Sequence, residues 1–144
     1  MQVSQVLKNK AHILITAKPD EPIWGVLRRY RTNRIGTLVV TDDDGRLLGL
    51  LGEREILNGL ITYGRKLLDE PVRVVMNTDA ATCVADDSID KVEEMMTSKR
   101  SRHIPVIEDD KVQGIISIGD LVKARLDAEK MENKVLRDMA RVRR

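Results

Sequence analysis

The stretch Gly114-Ile115-Ile116-Ser117-Ile118-Gly119-Asp120-Leu121-Val122 decides the fold, because the chain carries a second version of it. Residues 49–57 read Gly-Leu-Leu-Gly-Glu-Arg-Glu-Ile-Leu and align with it at an offset of 65 residues. Upstream, residues 38–42 align with residues 105–109 at an offset of 67, which makes the turn of the second copy two residues shorter. Such self-similarity predicts two structural repeats.

Each copy predicts the same order of elements, β-α-β-β-α. An extended segment is followed by a helix with apolar residues at helical spacing, then by two strands joined by an acidic turn, then by a closing helix. The extended segments are 13–16 and 81–84; the first helices begin at Pro22 and at an Asp87 N-cap; the strands are 37–40, 47–51, 104–107 and 112–117; and the closing helices begin near Glu53 and Ile118.

These elements predict an α+β fold of two tandem repeats, packed with pseudo-two-fold symmetry, plus a long C-terminal helix. We place the first repeat at residues 1–70, the second at 71–126 and a helical extension at 127–144. One repeat alone buries too little apolar surface to be very stable. The two should therefore pack together and leave a cleft between them.

Composition limits the classes of function. With 144 residues the chain has no room for a sizeable catalytic domain beside the two repeats. Only 2% of residues are aromatic, so the stacking platforms of a single-strand nucleic-acid binder are missing. Cys83 is the only cysteine and cannot form an internal disulfide. Without an apolar run of membrane-spanning length or a signal-peptide core, we expect no membrane association and a cytoplasmic protein.

The sequence also lacks the motifs that usually carry catalysis. It contains no Gly-x-Ser-x-Gly, no Walker-type Gly-Lys-Ser/Thr loop and no Gly-x-Gly-x-x-Gly. The two histidines, His12 and His103, belong to no cluster with metal-ligand spacing. We therefore expect neither an enzyme nor a bound metal.

The segment Arg102-His103-Ile104-Pro105-Val106-Ile107, followed by residues 114–120, resembles a known pattern. It is similar to the CBS (cystathionine-β-synthase) domain, in which a strand with Pro is followed by Gly and then by Ser or Thr three residues before Asp. The resemblance covers residues 3–126 and occurs twice in register, so the chain looks like a tandem CBS pair, or Bateman module, of the stand-alone bacterial or archaeal type. It implies a non-catalytic regulator that binds an adenine nucleotide in the cleft, with AMP preferred over ATP, ADP or NAD(H).

The polar residues of the second copy suit such a ligand. The Asp120 carboxylate, at the start of a helix, can accept two hydrogen bonds from the vicinal hydroxyls of a ribose. Ser117 lies beside free backbone N–H groups of a helix start, where a phosphate is favoured. The resemblance further implies that the adenine contacts Thr82, Val84, Ile104 and Pro105, and that Arg102 and His103 face the phosphates.

The first copy departs from the pattern at both polar positions. Gly52 replaces the Ser or Thr, and Glu55 replaces the Asp. Arg54 resembles a family position that supplies positive charge across the cleft, and Thr16 completes the predicted binding set. We expect one good site built on Asp120 and a weaker or altered one at Glu55.

Other interpretations remain open. Ser117 and Asp120 are both common helix caps and can serve only in that role. The tail carries an apolar stripe that needs a partner, formed by Leu121, Ala124, Ala128, Met131, Val135, Met139 and Val142. We expect this helix to pack on its own domain or on a dimer mate. The resemblance implies a homodimer, and the regulated protein partner stays unknown. The eight Lys or Arg against four Asp or Glu in residues 123–144 leave nucleic-acid binding as a further alternative.

Overall fold

The computed structural model describes residues 1–10 and 14–142. It has the predicted α+β architecture of two repeats and a long C-terminal helix. Within the described residues the elements are α1 (Val3–Asn9), β1 (Thr16–Ala17), α2 (Ile23–Asn33), β2 (Thr37–Thr41), β3 (Leu47–Gly52), α3 (Glu53–Tyr63), two 3-10 segments (Gly64–Asp69 and Val72–Val74), α4 (Ile89–Lys99), β4 (His103–Glu108), β5 (Lys111–Ser117) and α5 (Ile118–Val142). None of these helices combines the length and apolar content that crossing a bilayer requires.

The first repeat is built on a three-stranded sheet. Strand β1 runs parallel to β2, and β2 runs antiparallel to β3. The predicted opening strand at 13–16 is shifted, because β1 covers Thr16–Ala17 and Ile13 lies outside the described residues. Side chains from α2, the sheet and the 3-10 segments form one apolar cluster, whose buried members are Ala17, Ile23, Val26, Leu38, Val40, Leu51, Leu67 and Val72.

The second repeat has a two-stranded antiparallel sheet of β4 and β5. The strand predicted at 81–84 is reduced to a single parallel bridge, in which Cys83 exchanges two backbone hydrogen bonds of 2.9 Å with β4. The chain turns directly after this bridge: Val84 N donates to the Asp87 carboxylate at 2.9 Å, and Asp87 N donates to the Val84 carbonyl at 3.1 Å.

Helix α4 begins one residue later than predicted. Asp87 is not its N-cap, because Ser88 takes this position and its hydroxyl accepts a hydrogen bond from Lys91 N at 3.1 Å. The Asp87 carboxylate is already occupied by Val84 N and by the Lys91 ammonium. Since Asp and Ser both cap helices well, their order in the sequence could not decide between them.

The turn between the two strands of the second copy is one residue shorter than in the first, not two. Thr37 pairs with Gly52 and His103 pairs with Ser117, so the offset between copies is 66 residues on the first strand and 65 on the second. The second hairpin closes through Asp109 and Asp110, both with positive φ (51° and 64°), which gives a compact turn.

The predicted alignment of Leu38 with Pro105 is therefore wrong by one position. Pro105 lies opposite Ile115, and its counterpart is Val39, which lies opposite Leu50. A shift of one residue matters in a strand, because it exchanges the side chains that face the core with those that face away.

Helix α1 packs in the core of the second repeat, although it lies within residues 1–70, where the sequence analysis places the first repeat. Val3 and Val6 are buried in the cluster that contains Cys83, Ile89 and Ile104. The Gln5 side chain closes the first turn of the helix by accepting a hydrogen bond from Gln2 N at 2.8 Å. The two repeats are thus interleaved along the chain.

The linker between the repeats lies directly against the first sheet. Leu50 and Asn77 exchange two backbone hydrogen bonds of 3.0 and 2.8 Å. A Cβ atom at Gly49 would lie only 2.9 Å from the Asn77 carbonyl oxygen, so this approach requires glycine.

Replacing Val3 with Ala tests whether α1 belongs to the second core. Val3 is fully buried, so Val3→Ala should lower the free energy of unfolding by about 2 kcal/mol. The control Val142→Ala removes the same two methyl groups from a side chain that is 86% exposed and should change it by less than about 0.5 kcal/mol. Equal urea midpoints for the two variants would contradict the packing of α1.

Candidate functional site

An open cavity of about 570 Å³ lies between the two repeats. The first repeat contributes the start of β2 and the junction between β3 and α3, and the second contributes the connection between α4 and β4. The linker before Cys83 forms a third wall. The lining residues are Gly36, Thr37, Leu50, Gly52, Glu53, Arg54, Glu55, Asn77, Asp79, Ala80, Ala81, Lys99, Arg100, Ser101, Arg102 and His103.

Glu55 places a carboxylate on the wall of this cavity. Its Oε2 atom accepts a hydrogen bond from Gly52 N at 2.9 Å, which ties the carboxylate to the first turn of α3. A Cβ atom at position 52 would lie 3.1 Å from both that oxygen and the Thr37 hydroxyl. Glycine at position 52 therefore leaves the room that the longer Glu side chain needs.

Arg54 reaches from the first repeat to the second. Its Nη2 atom donates to the backbone carbonyl of Arg100 at 2.9 Å. Arg100 ends helix α4 in the left-handed conformation, with φ at 52°, and its neighbours Lys99 and Arg102 also line the cavity. Four basic residues, Arg54, Lys99, Arg100 and Arg102, thus line the cavity.

Thr37 and His103 meet on the pseudo-two-fold axis. They occupy equivalent positions in the two repeats, and Thr37 Oγ1 lies 3.1 Å from His103 Nδ1. Burial holds the pKa of His103 below its ordinary value, and the nearby charges of Lys10 and Arg102 act in the same direction. The imidazole is therefore neutral at pH 7, so one ring nitrogen donates and the other accepts.

Asp120, predicted to head the better site, lies outside this cavity. Its Oδ2 atom accepts hydrogen bonds from the Lys10 ammonium at 2.7 Å and from Ser117 N at 2.8 Å. Burial would raise the pKa of Asp120, but the hydrogen bonds from Lys10 and Ser117 outweigh it and hold the pKa below its ordinary value. Asp120 is thus an ionised carboxylate in a capping box.

By the offset of 66 residues, the counterparts of the linker residues 77–81 are residues 11–15, and residues 11–13 lie outside the described part of the chain. His12, for which the sequence predicts no metal-ligand cluster, is one of them. The described cavity is consequently the one at Glu55, the repeat whose pattern departs from the family.

The predicted binding residues divide into two groups. Arg54, Glu55, Arg102 and His103 are brought together around the cavity. The structure does not bring the others to the cavity. Thr82 is exposed beside a second, shallower depression, Val84 is exposed, and Ile104 and Pro105 are buried. Ser117 caps α5 together with Asp120, and Thr16 of β1 pairs with Val39 of β2.

Sequence reasoning missed several lining residues, chiefly Thr37, Lys99, Arg100 and the linker residues Asn77, Asp79, Ala80 and Ala81. The basic run at 99–103 was visible in the sequence as a cluster of charge. What the sequence could not show is that this run, from the second repeat, faces the acidic residue of the first.

The comparisons with known proteins agree with this architecture. The family model described as "CBS domain" matches the chain twice, at residues 6–62 and 72–127. The crystal structure of a CBS-domain containing protein from Agrobacterium tumefaciens superposes with a TM-score of 0.81 at 37% sequence identity, covering 87% of this chain and 99% of that one.

Two further solved structures contain adenosine compounds. A CBS domain protein from Pyrobaculum aerophilum, complexed with AMP, has a TM-score of 0.73 at 24% identity and covers 84% of this chain and 90% of its own. A CBS domain pair in complex with 5′-methylthioadenosine and S-adenosyl-L-methionine has a TM-score of 0.76 at 22% identity, covering 90% and 98%. Both share the fold described above. With the family model matched over both repeats, the chain belongs to the CBS-domain family.

Proposed function

We propose that this chain is a non-catalytic regulatory module that binds an adenine nucleotide in the cavity beside Glu55. The observation that carries the proposal is the open cavity of about 570 Å³ between the repeats, which is lined by acidic residues (Glu53, Glu55 and Asp79) and by basic ones (Arg54, Lys99, Arg100 and Arg102). Ligand sites are typically concave, partly apolar and supplied with a few convergent polar groups. The adenosine compounds bound by two proteins of the same fold support the choice of ligand.

The walls suit the parts of a nucleotide. Glu55 would accept hydrogen bonds from the ribose hydroxyls, and Leu50, Ala80 and Ala81 would supply apolar surface for the base. Arg54 and Arg102 would bind phosphate oxygens. This assignment moves the ribose contact from Asp120 to its counterpart, Glu55.

Regulation would follow from the position of the cavity between the repeats. A ligand that contacts Glu55 of the first repeat and Arg102 of the second stabilises the arrangement in which both face it. The Thr37–His103 contact on the axis would change with that arrangement. A partner protein would respond to the change.

Glu55→Gln tests the assigned ribose contact. Gln can still accept the hydrogen bond from Gly52 N, so the capping of α3 is kept while the charge is lost. We expect adenine-nucleotide binding, measured by isothermal titration calorimetry, to weaken about tenfold or more. The control Glu132→Gln, on the exposed surface of α5, should leave it unchanged.

Asp120→Asn distinguishes the two clefts. If the nucleotide occupies the Glu55 cavity, this variant binds as tightly as the wild type. Loss of binding in Asp120→Asn with full binding in Glu55→Gln would move the site to the other cleft and overturn our assignment. The absence of any adenine-nucleotide binding to the wild type would reject the nucleotide-binding function.

A second candidate function, self-association, is favoured by a repeated apolar surface. On α3, Leu57 and Ile61 are exposed, and their counterparts on α5, Val122 and Leu126, are exposed as well. A two-fold dimer needs a surface that is complementary to itself. We propose that these helix faces form a homodimer interface, which also serves a module without any ligand.

Ile61→Glu tests the dimer. Ile61 is 84% exposed in the single chain, so the charge should leave the fold intact but prevent the apolar contact. Light scattering after size exclusion should give a dimer for the wild type and a monomer for Ile61→Glu. The control Val84→Glu, at a side chain that is 48% exposed and lies on neither α3 nor α5, should remain dimeric. A monomeric wild type at high concentration would reject the interface.

The nucleic-acid alternative finds less support. Helix α5, described over Ile118–Val142, carries six basic and five acidic side chains. A helix that is nearly balanced in charge offers little basic surface for a phosphate backbone.

A further inference from the structure

The outer side of α2 carries the single tryptophan of the chain. Trp24 is 50% exposed, although its neighbours Ile23 and Val26 are fully buried. The guanidinium carbon of Arg28 lies 5.0 Å from the centre of the indole ring, and Arg31 is exposed one turn further along. Residues spaced four and three positions apart are neighbours on a helix surface. Trp24, Arg28 and Arg31 therefore form one continuous surface, the Trp24 face.

The cations of the Trp24 face are not neutralised within the described chain. Helix α2 contains three arginines and no acidic residue. Arg29 is paired with both carboxylate oxygens of Glu21. Arg28 and Arg31, in contrast, form no ion pair within residues 1–10 and 14–142. The charge of these two guanidinium groups is available to another molecule.

The equivalent helix of the second repeat shows that the fold does not require this face. By the offset of 66 residues, Trp24 corresponds to Asp90 and Arg28 to Glu94, and both acidic residues are exposed. Both helices bury their Ile and Val side chains in the apolar clusters of their own repeats. Packing thus accounts for the buried side of α2 and leaves its aromatic and basic side without a structural role.

A half-exposed tryptophan beside arginine has the composition of a protein–protein contact. Trp and Arg are enriched among the residues that carry the binding free energy of such contacts. The stacking of Arg28 on the indole ring restricts both side chains before a partner arrives, which lowers the entropy lost on binding. An apolar side chain of the partner would cover the ring, and its carboxylates would accept paired hydrogen bonds from the guanidinium groups.

We propose that the Trp24 face docks an acidic segment of a partner protein, with carboxylates at helical spacing around an apolar side chain. The acidic side of α4 in a second copy fits less well, because Arg125 of the same chain already donates to Asp90 and Glu93. A lipid surface needs more apolar area than the single exposed ring of α2 provides. A nucleic-acid strand needs several rings on which successive bases stack.

The fluorescence of Trp24 tests this contact directly, because the chain has no other tryptophan. A synthetic peptide of about 18 residues, made of Glu, Leu and Ala with Glu at helical spacing beside Leu, is titrated into the full chain. The emission should shift to shorter wavelength, and acrylamide quenching should fall at least about twofold as the ring leaves water. Added salt should weaken the binding, because exposed charges are screened. No nucleotide is needed, so failure here would leave the nucleotide-binding function of the cavity intact.

Two substitutions copy the second repeat and locate the binding. Arg28→Glu and Trp24→Asp introduce the residues that α4 has at the equivalent positions, so both variants should fold. Each should weaken binding of the labelled peptide, followed by fluorescence anisotropy, at least about tenfold. The matched control Arg137→Glu makes the same change of charge at an exposed position of α5 and should bind like the wild type.

A milder variant keeps the test decisive if a charge reversal disturbs the fold. Arg31→Gln removes one charge from the Trp24 face and should weaken peptide binding about threefold, with an unchanged melting temperature. Wild-type affinity in folded Arg31→Gln and Arg28→Glu would show that the face does not bind the peptide.

Four results with the wild type would overturn the assignment. The first is an unchanged Trp24 spectrum at millimolar peptide, and the second is equal binding of a peptide with Lys in place of Glu. The third is a shift produced at lower concentration by phosphatidylserine vesicles or by a thymidine oligonucleotide, which would assign the face to another polyanion. The fourth is a shift that follows protein concentration alone, which would make a second copy the occupant.

Discussion

The packing of two near-equivalent hairpins about a common axis is the constraint on which the other features depend. Thr37 and His103 begin equivalent strands and touch each other at 3.1 Å, so the axis passes between them. This contact brings the α4–β4 connection of one repeat to the β3–α3 junction of the other. Residues of both repeats therefore line the cavity, and neither repeat could form it alone.

The two repeats use different side chains to cap the helix that follows their last strand. At the start of α5, Ser117 and Asp120 exchange hydrogen bonds, with the hydroxyl accepting from Asp120 N and the carboxylate accepting from Ser117 N. At the start of α3, Gly52 and Glu55 keep only the second of these, because glycine has no hydroxyl that could accept the first, and a Cβ atom at Gly52 would lie 3.1 Å from the Glu55 carboxylate oxygen. Both carboxylates stay in place, but Lys10 binds Asp120 directly.

Because the chain is interleaved, the repeats are connected through their cores as well as through the interface between them. Helix α1 completes the core of the second repeat, and the 3-10 segments that follow α3 return to close the core of the first. The linker then lies across the first sheet through the paired backbone groups of Leu50 and Asn77. A ligand in the cleft would consequently act on a unit whose halves are already coupled.

The sequence by itself determined the duplication, the order of elements and the long last helix, because apolar periodicity and turn residues are local signals. It also marked Arg54, Glu55, Arg102 and His103. The tertiary structure decided that these four residues line one cavity and that Asp120 does not line it. The pairing of Lys10 with Asp120 joins residues 110 positions apart, and no local pattern specifies such a contact. For the same reason α1, although short and adjacent to the first repeat in sequence, could be assigned to the second core only from its packing.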